Sequence, residues 1–257
     1  MITIIRRIRA AAGRVTATEW ILVAVEGFLV FLGIYAAFQL EQWAEDRGWQ
    51  SKVEASKAAL RDELALHYSF AVEFRVVHPC LQGQLDLLRK RVLSSGEELQ
   101  ISPIFEPDGI WPFVFRKPAK FYPNDVWEEA IGDGVAQRFE REFRRRLAEN
   151  YISLDTIHRL DAANTESANA LMVLARPLPL DPSTRYALTR EIELLSARLS
   201  HLDLLNGQLL DSVEHLEMVP SKKDTRAVTL KYGTYGFCKA QDLPMRSFEE
   251  AMQSIPN

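Results

Sequence analysis

The histidines and carboxylates are the first residues to consider as metal ligands. In three places a histidine follows a carboxylate by one helical turn: Glu63 with His67, Asp155 with His158, and Asp211 with His215. A dinuclear metal site in a helical bundle requires paired Glu-x-x-His units and further inward glutamates. None of these pairs is a Glu-x-x-His unit, so we expect structural or solvated histidines and predict neither a metal site nor a cofactor.

The common catalytic motifs are also absent from the sequence. It contains no G-x-x-x-x-G-K-[ST], G-x-G-x-x-G, G-x-S-x-G or H-E-x-x-H pattern. The glycine pair in Gly233-Thr234-Tyr235-Gly236 matches no phosphate-binding loop. The formal net charge is −4, so the overall charge gives no indication of nucleic-acid binding. The sequence therefore favours a binding or structural protein over an enzyme.

A segment rich in proline and aromatic residues, 102–123, is the strongest candidate for a ligand site. It holds five of the 12 prolines, which exclude a continuous helix. Aromatic walls and nearby cations suit a pocket for an anion, whereas buried aromatics also suit a cap over the end of a helical bundle. The residues that would line such a pocket or form such a cap are Trp111, Arg116, Lys117, Tyr122 and Trp127.

A membrane span is the clearest feature near the N-terminus. Residues 20–40 read WILVAVEGFLVFLGIYAAFQL, which as a helix is about 31 Å long, enough to cross the ~30 Å hydrocarbon core of a bilayer. A cleaved signal peptide is one alternative, but its apolar core is shorter and ends in an Ala-x-Ala-like site. A deeply buried helix of a soluble protein is the other alternative. We therefore predict a transmembrane helix over 19–40 in contact with the lipid bilayer.

The charges that flank this span predict its orientation. Arg6, Arg7, Arg9 and Arg14 precede it, whereas Glu41, Glu45 and Asp46 follow it. Positive flanks stay in the cytoplasm. Residues 1–18 are therefore expected in the cytoplasm and residues 41–257 in the periplasm, with the protein in a bacterial inner membrane.

One face of the span carries Glu26, Gly33 and Ala37, at helical spacing. Small residues let another helix approach closely, and a carboxyl within a membrane is a candidate for a functional contact. We expect this face to contact a second copy of the chain or a partner span. Alternatively, Glu26 is protonated in lipid, or reaches the headgroups, and makes no contact.

The two cysteines, Cys80 and Cys238, both lie beyond the span. An oxidising periplasm would join an accessible pair, which would tie the C-terminal tail to the rest of the domain. Two separate buried thiols are the alternative.

Helical periodicity dominates the rest of the chain and predicts an all-α fold. Pro79 is expected to end a first long helix, and a second would cover 81–93. Two longer helices are expected over 136–174 and 182–218, the last capped by Asp181 with Pro182 at its first position. A shorter helix is expected to be capped by Asn124 or Asp125, and Asp125 with Glu128 matches a capping box. The predicted organisation is an antiparallel long-helix bundle over 41–219, an irregular insert over 96–123, and a tail over 220–257 with one short helix near 246–254.

A basic cluster at the start of the 136–174 helix is interleaved with Glu140, Glu142 and Glu149. We interpret it as a solvated helix face with ion pairs one turn apart, with a patch for an acidic partner as the alternative. Its members are Arg138, Arg141, Arg144, Arg145 and Arg146.

Glu19-Trp20, the apolar span and the following Gln42-Trp43-Ala44-Glu45-Asp46-Arg47 resemble the N-terminal signature of an uncharacterised family of bacterial single-pass membrane proteins. The segments 55–64 and 204–209 are similar to that family as well. The resemblance implies an anchored topology and brings no activity or site residues, because the family is a domain of unknown function.

Two hypotheses for function follow. The first is a membrane-anchored periplasmic interaction module, a scaffold or a sensor-like domain, that binds a protein partner or forms a homo-oligomer. The second is a periplasmic enzyme or ligand-binding domain with a site around 111–127. A concave pocket with converging titratable groups would favour the second hypothesis.

Overall fold

The computed structural model describes residues 16–99, 114–231 and 233–256, and within these ranges the chain is mainly helical. The α-helices are α1 (Ala17–Ser94), α2 (Asp125–Gly132), α3 (Arg141–Ala170), α4 (Pro182–His215), α5 (Lys222–Lys231), α6 (Gly233–Ala240) and α7 (Phe248–Ala251). Short 3-10 helices cover Val135–Arg138 and Leu171–Ala175. Two-residue strands, β1 (Glu98–Leu99) and β2 (Leu178–Pro179), pair antiparallel. The predicted all-α class is confirmed.

The chain divides into two compact units, residues 1–54 and 55–257. In the first unit, the large apolar side chains from Trp20 to Leu40 are 42–66% exposed, so protein atoms cover none of them fully. Among the described residues, α1 is the one helix long and apolar enough to cross a membrane. The structure is therefore compatible with the predicted span.

Helix α1 continues through Pro79 to Ser94, so the predicted break at Pro79 is wrong. Proline has no N–H to donate to the carbonyl of Arg75, one turn earlier. That carbonyl instead accepts a hydrogen bond from Nη1 of Arg246 at 3.3 Å, and the next one, on Val76, accepts from the backbone N–H of Arg246 at 3.0 Å. The C-terminal segment thus supplies the donor that the helix lacks at Pro79 and a further bond to the next carbonyl.

The C-terminal region is more ordered than the predicted tail with one short helix. It contains α5, α6 and α7, and a disulfide joins Cys238 of α6 to Cys80 of α1 with Cα atoms 5.9 Å apart. Near its end, the N–H of Ile255 donates to the carbonyl of Gly207 at 3.0 Å. A Cβ atom at residue 207 would collide with the Ile255 side chain, so glycine permits this close approach inside α4.

The helix boundaries differ from the sequence prediction where side chains cap backbone groups. The predicted 136–174 helix is divided, because the carboxylate of Glu140 accepts from the N–H groups of Glu142 and Phe143 and starts α3. Of the two predicted caps of α2, Asn124 is the N-cap, although it makes no side-chain cap bond, and the predicted capping box of Asp125 is wrong. The predicted start of α4 is confirmed, since Asp181 accepts from the N–H of Thr184 and Pro182 follows it.

Polar contacts define which long helices pack together. Residues early in α3 meet residues late in α4, as in the hydrogen bond from Asn150 to Ser212 at 3.2 Å. Farther along, Arg198 of α4 donates to Ser167 of α3 at 2.8 Å. Gln82 of α1 donates to the carbonyl of Ser196 at 3.0 Å. Between these contacts lies an apolar core of leucines from all three helices, including Leu64, Leu81, Leu85, Leu147, Leu154, Leu195 and Leu199.

The role of Arg246 at Pro79 gives a first prediction. Arg246→Met removes the donor to Arg75 and the two bonds to Asp203, at 2.7 and 2.8 Å, and should lower the free energy of unfolding by about 2 kcal/mol. In a Pro79→Ala background, the new backbone N–H at this position can bond the Arg75 carbonyl, so the loss should be about 1 kcal/mol smaller. Denaturant titration of the full chain measures both values.

Arg159→Met is the matched control, because the contacts of Arg159 with Asp155 and Thr156 are both exposed. It should change the free energy of unfolding by less than about 0.5 kcal/mol. Equal losses for Arg246→Met with and without Pro79 would show that Arg246 does not compensate for the proline.

Candidate functional site

A pocket of about 360 Å³ lies beside the described end of the irregular segment. Its walls come from α1, the segment 115–120, α3 with the 3-10 helix that follows it, and α6. The lining residues are Glu73, Phe115, Arg116, Lys117, Pro118, Ala119, Lys120, Thr165, Ala168, Asn169, Met172, Gly233 and Thr234.

Gln84 of α1 fixes the segment that carries the cations. Its side-chain amide donates to the carbonyl of Arg116 at 3.0 Å, and its side-chain oxygen accepts from the Arg116 N–H at 2.8 Å. Gln84 is buried, so it satisfies backbone groups that no regular secondary structure would satisfy here. These two bonds set the position of Arg116 relative to α1.

Glu73 and Lys120 form a buried ion pair in the wall of the pocket. Lys120 Nζ lies 2.9 Å from Glu73 Oε2, and the two side chains are 8% and 0% exposed. Burial raises the pKa of Glu73, against the opposing effect of the nearby ammonium. Burial also lowers the pKa of Lys120, against the effect of the carboxylate. Each group stabilises the charged form of the other in this buried environment.

The other two cations have different surroundings. Lys117 Nζ is 2.7 Å from Asp161 Oδ1 of α3. The Arg116 guanidinium lies over the ring of Phe237, 5.6 Å from its centre. Among the described residues, Arg116 makes no ion pair. A Cβ atom at residue 233 would collide with this guanidinium, so Gly233 leaves the space that it occupies.

The five residues that the sequence singled out do not form one site. Arg116 and Lys117 line the pocket, whereas Trp111 lies outside the described residues. Tyr122 is buried and donates to Asn206 Oδ1 at 3.0 Å, with its ring against Phe70. Trp127 is buried and stacks on Tyr151 with ring centres 5.4 Å apart. Tyr122 and Trp127 therefore pack as the cap interpretation expects, and the two cations lie where a ligand could meet them.

Two buried titratable groups of α1 hold this cap in place. Glu63 accepts hydrogen bonds from the Tyr151 hydroxyl and, at 3.2 Å, from the N–H of Val126 in the first turn of α2. Burial raises the pKa of Glu63, and both bonds oppose that rise. His67 Nε2 donates to the carbonyl of Pro123 at 2.6 Å. Both groups thus have structural partners.

Pocket residues that were not predicted from the sequence include Glu73, Thr165, Asn169, Met172 and Thr234. Glu73 alone had a usable signal: residues 67–77 are apolar on every face of the helix except for a few polar positions. A helix that is apolar all round is buried, so a charge within it needs a partner. The other four lie on segments whose neighbours only the tertiary structure supplies.

Two other sequence-level features have structural counterparts. In the described part of the chain, no three His, Cys, Asp or Glu side chains are grouped so that they could hold a metal ion. In the basic cluster, Arg145 pairs with Glu142 and Glu149, and Arg146 pairs with Glu142, all at exposed positions. These pairs fit a solvated helix face.

The buried imidazole gives a second prediction. Burial lowers the pKa of His67 to about 4, and its Nδ1 has no hydrogen-bond partner among the described residues. The unfolded chain therefore binds this proton at a higher pH than the folded chain does. Stability should fall as the pH drops from about 6.5 towards 4, with His67 contributing on the order of 3 kcal/mol to the loss.

His67→Leu should reduce the difference in unfolding free energy between pH 7 and pH 4.5, whatever its effect at pH 7. His201→Leu, at an exposed position, is the control. Buried Glu63 and Glu73 have raised pKa values and act in the opposite direction, but both variants retain them. An unchanged pH dependence in His67→Leu would contradict the assignment.

No protein-family model, curated protein or solved structure matches this chain. The resemblance of its N-terminal segment to a family of single-pass membrane proteins stays a prediction.

Proposed function

We propose that this protein is a single-pass protein of a bacterial inner membrane whose periplasmic domain is a helical interaction module, a scaffold or a sensor-like domain. The observation that carries the proposal is the apolar stretch 20–40 of α1. Its large side chains are exposed and are not covered by other protein atoms. Such a surface is unfavourable in water and favourable in a bilayer.

The charges on either side of this stretch support the orientation. The four N-terminal arginines favour a cytoplasmic location for 1–18, and the acidic residues after the stretch favour a periplasmic location for 41–257. The Cys80–Cys238 disulfide supports the same orientation, because such bonds persist in the periplasm and are rare in the cytoplasm.

An interaction role is supported by the polar groups of the long helices, which make contacts between helices. The pairs Asn150–Ser212 and Ser167–Arg198 are those expected where α3 and α4 run antiparallel, as neighbours do in a bundle of long helices. Glu63, His67 and Glu73 serve structural contacts, which leaves these described titratable groups without an evident catalytic task. Long helices of this kind present extended surfaces to partners.

Reporter fusions test the topology. Alkaline phosphatase, which is active only in the periplasm, should be active when fused after Asn257 and also after Glu54. Green fluorescent protein fused at the same points and exported by the same route should not fluoresce. The Glu54 fusion is the control, because it does not require the domain to fold. Phosphatase inactivity with fluorescence at both points would overturn the orientation.

The predicted contact face of the span belongs to the same proposal. Glu26, Gly33 and Ala37 lie on one side of α1, and a Cβ atom at Gly33 would meet nothing within 4 Å. That face is open to a second copy of the chain or to a partner span. Close approach at the small residues would bring the Glu26 carboxyl within reach of a hydrogen-bond donor.

A reporter of transmembrane association fused to residues 15–45 measures this contact. Glu26→Ala and Gly33→Leu should each lower the signal several-fold relative to the natural span. Ala24→Leu makes a comparable change in size on the opposite face and should leave the signal unchanged. If all four spans associate equally weakly, this face makes no contact.

A second candidate function is a periplasmic ligand-binding domain or enzyme with its site around 111–127. The observation that favours it is the pocket of about 360 Å³ lined by Arg116 and Lys117. The two candidates are compatible, because a sensor-like module can bind a ligand.

A further inference from the structure

We infer that the pocket between α1, α3 and α6 binds a small organic monoanion, one carboxylate group on a short apolar body, through Arg116. This inference rests on the second candidate function and is independent of the membrane topology. Charge balance, the shape of the polar group and the composition of the walls each contribute to it.

Of the three cations that line the pocket, two are paired with carboxylates, and one can pair with a ligand. Lys120 is neutralised by Glu73 at 2.9 Å, and Lys117 by Asp161 at 2.7 Å. Arg116 makes no ion pair among the described residues. A ligand with a single negative charge would complete the balance, whereas a dianion would add a charge without a partner.

The position and chemistry of the Arg116 guanidinium suit a planar anion. Gln84 fixes both backbone groups of Arg116, and the guanidinium lies over the ring of Phe237, 5.6 Å from its centre, close to Gly233. Its parallel N–H donors match the two oxygens of a carboxylate. Fixing the backbone of Arg116 before binding reduces the entropy lost when the ligand arrives.

The walls indicate an apolar body for the ligand. Phe115, Pro118, Ala119, Ala168 and Met172 supply apolar surface, while Thr165, Asn169 and Thr234 supply a few hydrogen-bonding groups. A volume of about 360 Å³ lies at the lower end of the range for small-molecule sites. A short-chain or aromatic monocarboxylate fits this combination better than a highly polar anion.

Titration calorimetry of the full chain in lipid nanodiscs tests the inference with matched probes. The acids are hexanoate and phenylacetate, and the neutral controls are hexanamide and phenylacetamide. Inorganic phosphate is the probe for a purely polar anion. We expect at least one acid to bind at least tenfold more tightly than its amide, and phosphate to bind more weakly than that acid.

Variants link the binding to this pocket. Arg116→Gln should weaken binding of the acid at least tenfold and leave the affinity for the amide unchanged. Met172→Trp, which fills the pocket, should weaken both. Arg190→Gln, at an exposed position of α4 outside the pocket, is the matched control and should change neither. Thermal unfolding of each variant verifies that it is folded.

The remaining outcomes test two claims separately: the chemical class of the ligand and the existence of a ligand site in this pocket. Equal affinity for an acid and its amide, lost in Met172→Trp, would overturn the monoanion and leave a ligand-binding pocket. Tighter binding of phosphate would overturn the apolar body. Absence of binding by every probe, or acid binding that Arg116→Gln and Met172→Trp do not change, would overturn both the inference and the second candidate function. None of these results alters the membrane topology, which the fusions measure.

Discussion

The hydrogen bonds from Arg246 to the carbonyls around Pro79 are the interaction on which the domain most depends. Without the bond to Arg75, the proline would leave that carbonyl without a donor, and α1 would be expected to kink or end there. Because α1 continues, Cys80 and Gln84 lie on the same helix as Glu63, His67 and Glu73. Gln84 in turn holds Arg116, and Cys80 holds α6. The pocket therefore lies on a helix whose hydrogen bonding at Pro79 depends on Arg246 of the C-terminal region.

The buried polar residues of α1 show how one helix organises the surrounding elements. Glu63 meets α2 and α3, Glu73 meets Lys120 of the irregular segment, and Arg75 donates to the carbonyl of Gln253 near the C-terminus. Burying such groups is costly unless each is paired, so their net stabilisation is small. Their effect is to favour one arrangement of partners, because any other packing would leave a buried charge unpaired. The same logic applies to Asp203, which accepts two bonds from Arg246.

Local features of the sequence were predictable, and features that depend on distant partners were not. The apolar stretch 20–40, the all-α class and the Asp181-Pro182 start of α4 each follow from neighbouring residues. Continuity through Pro79 could not be foreseen, because its donors come from Arg246, far along the chain. The helices of the C-terminal region have weak periodicity and depend on contacts such as Gly207 with Ile255 and on the disulfide. At the pocket, Arg116 and Lys117 were visible as cations near aromatics, while the pairing of Glu73 with Lys120 required the fold.

The disulfide links the fold to the compartment, so its state in the native protein is the most direct test. The chain has two cysteines, which makes the readout simple. Cells are quenched in acid, and the protein is treated with a maleimide carrying a polymer large enough to shift its migration in a gel. We expect no shift before reduction and a shift by two polymers after it. Two shifts without reduction would show free thiols at Cys80 and Cys238 and would contradict a C-terminal segment fixed to α1 in an oxidising compartment.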